Sequence, residues 1–134
     1  MSDCIFCMIK DHQINSTVLY EDDICMAILD LSQATRGHAL VISKVHYDSV
    51  LEADDEALAH MIVVAKTLAN QIKENLNAQG INILTNAKEA AGQTVSHLHF
   101  HIIPRYDQYD GFEPKFTDHQ GKWDLEEIKN EILK

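Results

Sequence analysis

The chain has 134 residues, 46% hydrophobic and 24% charged, which suits one globular domain around one core rather than a disordered chain. Its 11 Lys and Arg against 21 Asp and Glu give a net charge of −10, which excludes the basic face of a polyanion binder, so no nucleic-acid partner is expected. Apolar runs such as Met61 to Ala65 are far too short to cross a bilayer, so no membrane span is expected either.

In chain order, the opening MSDCIFCMIKD carries no basic n-region, so no secretory leader is expected. Three cysteines are an odd number for a disulfide framework, and a reduced, cytoplasmic setting is expected. Cys4 and Cys7 form a Cys-x-x-Cys pair open to three interpretations: two small buried residues, a redox pair, or half of a metal site. Residues 17–20 and 24–29 read as strands separated by the turn Glu21-Asp22-Asp23, with the buried small residue Cys25 in the second. A polar loop over 30–37 leads to a third strand, 39–43.

The clearest helix runs from about Ala53 to Gln79. Leu58, Met61, Ile62, Ala65, Leu68, Ala69, Ile72 and Leu76 recur at three- and four-residue spacing, acids open it, and Gly80 is a candidate stop. A strand over 81–85, a loop over 86–93 and a strand over 94–103 follow. After Pro104 the chain turns polar until Asp124 opens a short helix with Leu125, Ile128 and Ile132 on one side. Too few strands alternate with helices for a doubly wound fold, so the expectation is α+β with a largely antiparallel sheet.

The strand over 94–103 carries His97, His99 and His101 at alternate positions, each followed by an apolar residue. Alternate strand residues share a face, about 6.6 Å apart, so the imidazoles line one face while Leu98, Phe100 and Ile102 face the core. A solvated face seldom uses three histidines in register. Three neighbours on one flat strand do not easily converge on one metal ion, although the end of the strip can supply a ligand. A histidine nucleophile or acid–base group at a phosphoryl centre fits better, because Gly92-Gln93-Thr94 just before it offers close backbone approach and hydrogen-bond donors for phosphate oxygens.

The segment Gln93-Thr-Val-Ser-His-Leu-His-Phe-His-Ile-Ile103 matches the His-φ-His-φ-His-φ-φ motif, and the chain resembles the histidine triad superfamily, most closely its Hint branch of nucleotide-binding proteins. The likeness runs from Cys4 to about Arg105 and includes C-I-F-C, Y-E-D-D-I-C-M-A-I-L-D and G-H-A-L-V-I-S-K-V-H. It implies one domain over 1–134 with a core at about 4–105, a five-stranded antiparallel sheet, a homodimer, and hydrolysis of the P–N bond of purine nucleoside phosphoramidates. By motif position His99 is the nucleophile, forming a nucleotidyl-histidine that water resolves, and His101 bonds the phosphate.

The resemblance also implies that Gln93 and Thr94 donate to phosphate oxygens, that Asp30 grips the ribose hydroxyls and Asn86 contacts the nucleotide. Ile5, Phe6, Ile9 and Ile28 then wall the purine site, although as sequence alone these four read as core. His38 matches a histidine of the catalytic network and equally suits a structural place before a strand; Asp30 equally suits a turn. Some bacterial-type members bind zinc through positions that here are Cys4, Cys7, His46 and His97, which implies a structural zinc with His99 left free.

Two alternatives remain. One is dinucleoside polyphosphate hydrolysis, or the nucleotidyl transfer of sister branches, whose transferases usually depart from three histidines. The other is a nucleotide-binding regulatory module with incidental hydrolysis. Residues 106–134 depart from the short tail of the best-known Hint proteins: they form a longer, acidic C-terminal extension carrying Trp123, a packing anchor or a lid on a partner's pocket. His12, His60 and His119 read as surface or helix-face residues.

Overall fold

The computed structural model describes residues 4–134; the leaderless reading of residues 1–3 lies outside them. Helix α1 (Ile5–Lys10) precedes β1 (Val18–Glu21), β2 (Cys25–Leu29) and β3 (Ala39–Ser43). Helix α2 (Asp55–Asn75) leads to β4 (Gly80–Leu84), β5 (His99–Arg105) and helix α3 (Leu125–Leu133). The five strands form one sheet in the order β1-β2-β3-β5-β4, with every neighbouring pair antiparallel. The α+β architecture expected from the sequence is the one observed.

The two faces of the sheet bury different sets, as strand alternation dictates. Ala27, Val41, Phe100 and Ile102 pack with Leu98 against Met61, Val64, Ala65, Leu68 and Ala69 of α2. Met26, Ile28, Leu40 and Ile42 point the other way and are covered by Phe6 and Ile9 of α1. The histidine-bearing face is therefore roofed by a helix, which the sequence reading left out. At six residues, α1 is too short for a periodic signal; Cys4 caps it, its Sγ accepting from the Cys7 amide at 3.4 Å.

Three boundaries and one residue of a buried stripe differ from the expectations. Helix α2 stops at Asn75, because Asn77, at φ 59°, takes the left-handed position after the cap that the sequence assigned to Gly80. Val64 rather than Ile62 completes its buried stripe. Strand β5 starts at His99, not Thr94: His97 N donates to Val95 O at 2.8 Å, a tight turn just before the strand. It also runs through Pro104, because pairing with β3 ends at Ile102 and only β4 lies beyond, leaving the proline's missing N–H on an unpaired side.

Past Arg105 the extension is tied down briefly. Arg105 Nε donates to Asp110 Oδ1 at 3.0 Å and its Nη2 to Phe112 O at 2.7 Å, while Tyr106 Oη donates to Arg36 O at 2.6 Å. Gly111 needs its φ of 121°, since a Cβ there would lie 2.1 Å from Ala34 O. From Glu113 onward the chain is exposed, including Trp123, whose ring lies under Lys122 Nζ at 4.8 Å. Helix α3 is capped by Asp124, as its sequence signature predicts.

Candidate active site and metal centre

A cavity of about 330 Å³ opens on the α1 side of the sheet. Its walls are Ile5, Phe6, Ile9, Ile28 and Leu40, and its polar lining comes from Asp30, Thr94, His99 and His101 with Asn15 and Ser16. No Lys or Arg lines it. The four apolar residues assigned to a purine wall thus do line a cavity as well as pack: Phe6 lies edge-on to His99, with ring centroids 4.8 Å apart. A larger groove of about 450 Å³ between β1 and α2, lined chiefly by Leu19, Leu29, Leu68, Ile72 and Leu76, holds no nucleophile or acid–base group.

Hydrogen bonds fix which nitrogen of each histidine is available. His99 Nδ1 lies 2.7 Å from the carbonyl oxygen of His97, which can only accept, so Nδ1 carries the proton and Nε2 is a free lone pair in the cavity wall. The Ala34 amide donates to His38 Nδ1 at 3.1 Å, so the proton of His38 sits on Nε2. His38 Nε2 then donates to His101 Nδ1 at 2.9 Å, which leaves His101 with an Nε2–H to offer a ligand. A backbone amide thus sets the donor at the cavity two rings away.

Burial is the main force on these rings. It lowers the pKa of His38 and His99, and together with the neighbouring imidazoles it holds His101 down to about 4. The Asp30 carboxylate, 3.6 Å from His38 Nε2, pulls weakly the other way. At neutral pH the cavity therefore presents an uncharged His99 ring with a free Nε2 beside an uncharged His101 donor.

Two residues assigned to the nucleotide, Gln93 to the phosphate and Asn86 to the pocket, do not line the cavity. Gln93 is engaged with backbone: its Nε2 donates to Asp48 O at 2.6 Å and to Val95 O at 3.0 Å, and its Oε1 accepts from Lys88 N at 2.8 Å. Asn86 Nδ2 approaches the backbone at Gly92, where a Cβ would lie 3.7 Å from it. His38 is also outside the cavity and acts through His101. Asn15 and Ser16 are lining residues the sequence reading missed; nothing marked them until the bond from Leu29 N to Thr17 O (3.0 Å) brought this segment alongside Asp30.

The first triad histidine faces elsewhere. His97 Nε2 donates to Ser43 O at 2.8 Å, so its free nitrogen is Nδ1. That nitrogen lies 3.3 Å from Cys4 Sγ, 3.5 Å from Cys7 Sγ and 3.1 Å from His46 Nδ1, and Cys7 Sγ lies 3.2 Å from His46 Nδ1. His46 Nε2 donates to Asp48 Oδ1 at 3.0 Å, which likewise turns its lone pair inward. Tetrahedral zinc with N and S ligands needs neighbouring donor atoms about 3.3 to 3.8 Å apart. The four side chains meet that spacing closely enough to hold such an ion, with both outward nitrogens held by acceptors as metal-bound histidines require.

A second grouping, Asp22, Cys25 and His60, is already satisfied internally. Asp22 Oδ2 accepts from His60 Nε2 at 2.6 Å and Tyr20 Oη at 2.7 Å, and its Oδ1 accepts from the Ile24 and Cys25 amides. His60 thereby ties α2 to the β1–β2 turn. Burial pushes the Cys25 thiol up to about 12, so it is inert.

Comparison with known proteins agrees with this architecture. Residues 11–108 match the HIT domain. The "Protein hit" of Bacillus subtilis is 41% identical over 127 residues, covering 95% of this chain and 88% of that one. A crystal structure of a HIT family protein from Bacillus anthracis superposes with a TM-score of 0.91 at 44% identity, covering 98% of this chain and 93% of that one. A zinc-bound histidine triad family protein from Mycobacterium smegmatis superposes at 0.79 with 35% identity, covering 89% and 86%. The adenylylsulfatase HINT3 of Arabidopsis thaliana is 37% identical over 107 residues, covering 80% of this chain and 54% of that one. With the family domain spanning most of its length and an unbroken His97-x-His99-x-His101 motif at the cavity, this chain belongs to the HIT family of the histidine triad superfamily.

Proposed function

We propose that the protein is a purine nucleotide-binding hydrolase that cleaves the P–N bond of nucleoside 5′-phosphoramidates through His99. The observation that carries this reading is the free Nε2 of His99 in the cavity wall, held there by the Nδ1–H bond to its neighbour's carbonyl. In the first step Nε2 bonds to the α-phosphorus and the P–N bond breaks. The electron pair leaves with the nitrogen, which takes up a proton from solvent and departs as the amine. In the second step water attacks phosphorus and gives up a proton to solvent, the bond to His99 breaks, and the lone pair returns to Nε2 as the nucleoside monophosphate is released.

His101 Nε2–H donates to a non-bridging oxygen as charge gathers there, and Thr94 lines the same wall. Asp30 accepts from the ribose hydroxyls, and Ile5, Phe6, Ile9 and Ile28 enclose the base. A purely regulatory nucleotide binder has no use for an oriented, uncharged nucleophile. A second reading is favoured by the HINT3 relative, an adenylylsulfatase: the same attack at an adenylyl phosphorus, with sulfate as the leaving group.

Cys4, Cys7, His46 and His97 fit a structural zinc, a reading supported by their spacing and by the zinc-bound Mycobacterium relative. Such an ion pins α1 and the start of β5 and takes no part at phosphorus. A homodimer belongs to the same reading: β1 and β4 each pair on one side only, so the sheet leaves two edges open to a second copy.

The deciding experiment is mass spectrometry after a rapid quench with adenosine 5′-phosphoramidate, and in parallel with adenylyl sulfate. A nucleotide adduct on His99 is expected. Turnover without any adduct in His99→Ala would falsify the assignment, and faster adduct formation from adenylyl sulfate would select the second reading.

A further inference from the structure

The loop before β5 and the metal centre share one anchor. Asp48 holds the metal-facing ring of His46 with its carboxylate, at 3.0 Å, and holds the Gln93 carboxamide with its backbone carbonyl, at 2.6 Å. Gln93 in turn accepts from Lys88 N and donates to Val95 O, clasping the turn whose next residues, Thr94 and Val95, line the cavity. A residue so committed has no N–H left for a phosphate oxygen. It can fix where Thr94 stands.

We infer that Gln93 is a positioning residue that couples the metal centre to the nucleotide cavity: ligand-filled His46 fixes segment 46–48, and Gln93 transmits that placement to Thr94 and Val95. The inference rests on the hydrolase and zinc readings above and adds a regulatory link between their two sites. Coupling of this kind is reciprocal, so whatever tightens one site tightens the other by the same factor. A second contact, the His97 carbonyl on His99, orients the nucleophile instead, and the two routes separate experimentally as grip against chemistry.

The test measures zinc affinity by competition with a chromophoric chelator, with and without saturating AMP, on the full chain and on Gln93→Ala and Gln93→Glu. The glutamate keeps the acceptor for Lys88 N but loses the donors to both Asp48 O and Val95 O. Saturating AMP is expected to tighten zinc binding about fivefold in the wild type. In both variants that factor should fall by at least about half, with zinc affinity in the absence of AMP nearly unchanged. The remainder passes through α1 with its cap, which carries Cys4 and Cys7 on one side and Ile5, Phe6 and Ile9 on the other. In both variants AMP affinity should weaken by a larger factor than the single-turnover rate of adduct formation at saturating nucleotide, the split that a positioning role in binding predicts. Variants that retain the wild-type factor, or a wild type in which AMP leaves zinc affinity untouched, overturn the coupling alone. A wild type that takes up no zinc overturns the metal reading with it, and one that binds zinc but no AMP overturns the proposed function.

Discussion

His97 and His99 stand two residues apart, yet each offers the opposite nitrogen. His97 spends its Nε2–H on the Ser43 carbonyl and presents Nδ1 to Cys4, Cys7 and His46. His99 spends its Nδ1–H on the His97 carbonyl and presents Nε2 to the cavity. The difference comes from the backbone, not from the side chains. His97 lies in the turn before β5, where its ring tip reaches back to β3; His99 is the first residue of the ladder, where the preceding carbonyl lies beside its near nitrogen. One imidazole is thereby left with a free Nδ1 towards Cys4, Cys7 and His46, and the next with a free Nε2 towards the cavity.

The largest effect that bears on this contrast is expected from His99→Ala. Turnover of adenosine 5′-phosphoramidate should fall at least about a thousandfold while the AMP dissociation constant changes little, because the ring supplies a bond to phosphorus more than ground-state binding. Steady-state kinetics and calorimetric titration check both halves. Comparable losses in rate and affinity would merge the two roles.

Next in size is Cys4→Ala. It should lower bound zinc from about one per chain to near zero and the melting temperature by several degrees, read by elemental analysis and calorimetry, since metal binding to such a set is folding free energy. Nitrogen NMR of the rings should still find the proton of His99 on Nδ1, because its partner is a carbonyl rather than the metal.

A smaller effect comes from pH. His101 is held neutral down to about 4, below its ordinary value of 6.5, so the unfolded chain binds the extra proton first as pH falls. The neutral ring's contribution is complete above about pH 6.5 and is lost progressively towards pH 4, a total of up to about 3 kcal/mol. His101→Gln, which cannot titrate, should flatten that part of the stability–pH curve measured by urea unfolding. An unchanged slope would show that burial does not keep this ring neutral.

The smallest change should come from Lys88→Gly. Lys88 holds φ 77° and ψ 159°, a region suited to glycine, and its ammonium pairs with Glu52. Relief of that strain should stabilise the protein by about 1 kcal/mol, less whatever the lost ion pair contributed. Thermal unfolding reads the gain, and ring NMR should show both nitrogen assignments untouched.

Much of this was open to inspection in the sequence because alternation and periodicity are local. The apolar set Leu98, Phe100 and Ile102 declared the face turned to α2, and Asp124 announced α3. The resemblance to the histidine triad superfamily implied one centre at Cys4, Cys7, His46 and His97 before any distance was known, where the Cys-x-x-Cys pair alone left three interpretations open. What stayed hidden depended on contacts distant in the chain or too brief to repeat. The roof formed by α1 has only six residues. The stop of α2 lay with Asn77 because an asparagine tolerates the left-handed conformation that glycine usually supplies. Gln93 reads as a phosphate donor until the Asp48 carbonyl, 45 residues earlier, is found against it. Asn15 joins the cavity only through its neighbour's pairing with β2.

The absence of Lys and Arg from the cavity lining has a kinetic consequence. A chain of net charge −10 repels anions, and among the described residues no Lys or Arg lines the cavity to offset that repulsion. Added salt should therefore raise the second-order rate constant for an anionic nucleotide, whereas a basic site would show the reverse. A phosphoramidate monoester carries roughly one negative charge fewer than the monophosphate it yields, so the same repulsion hastens departure of the product.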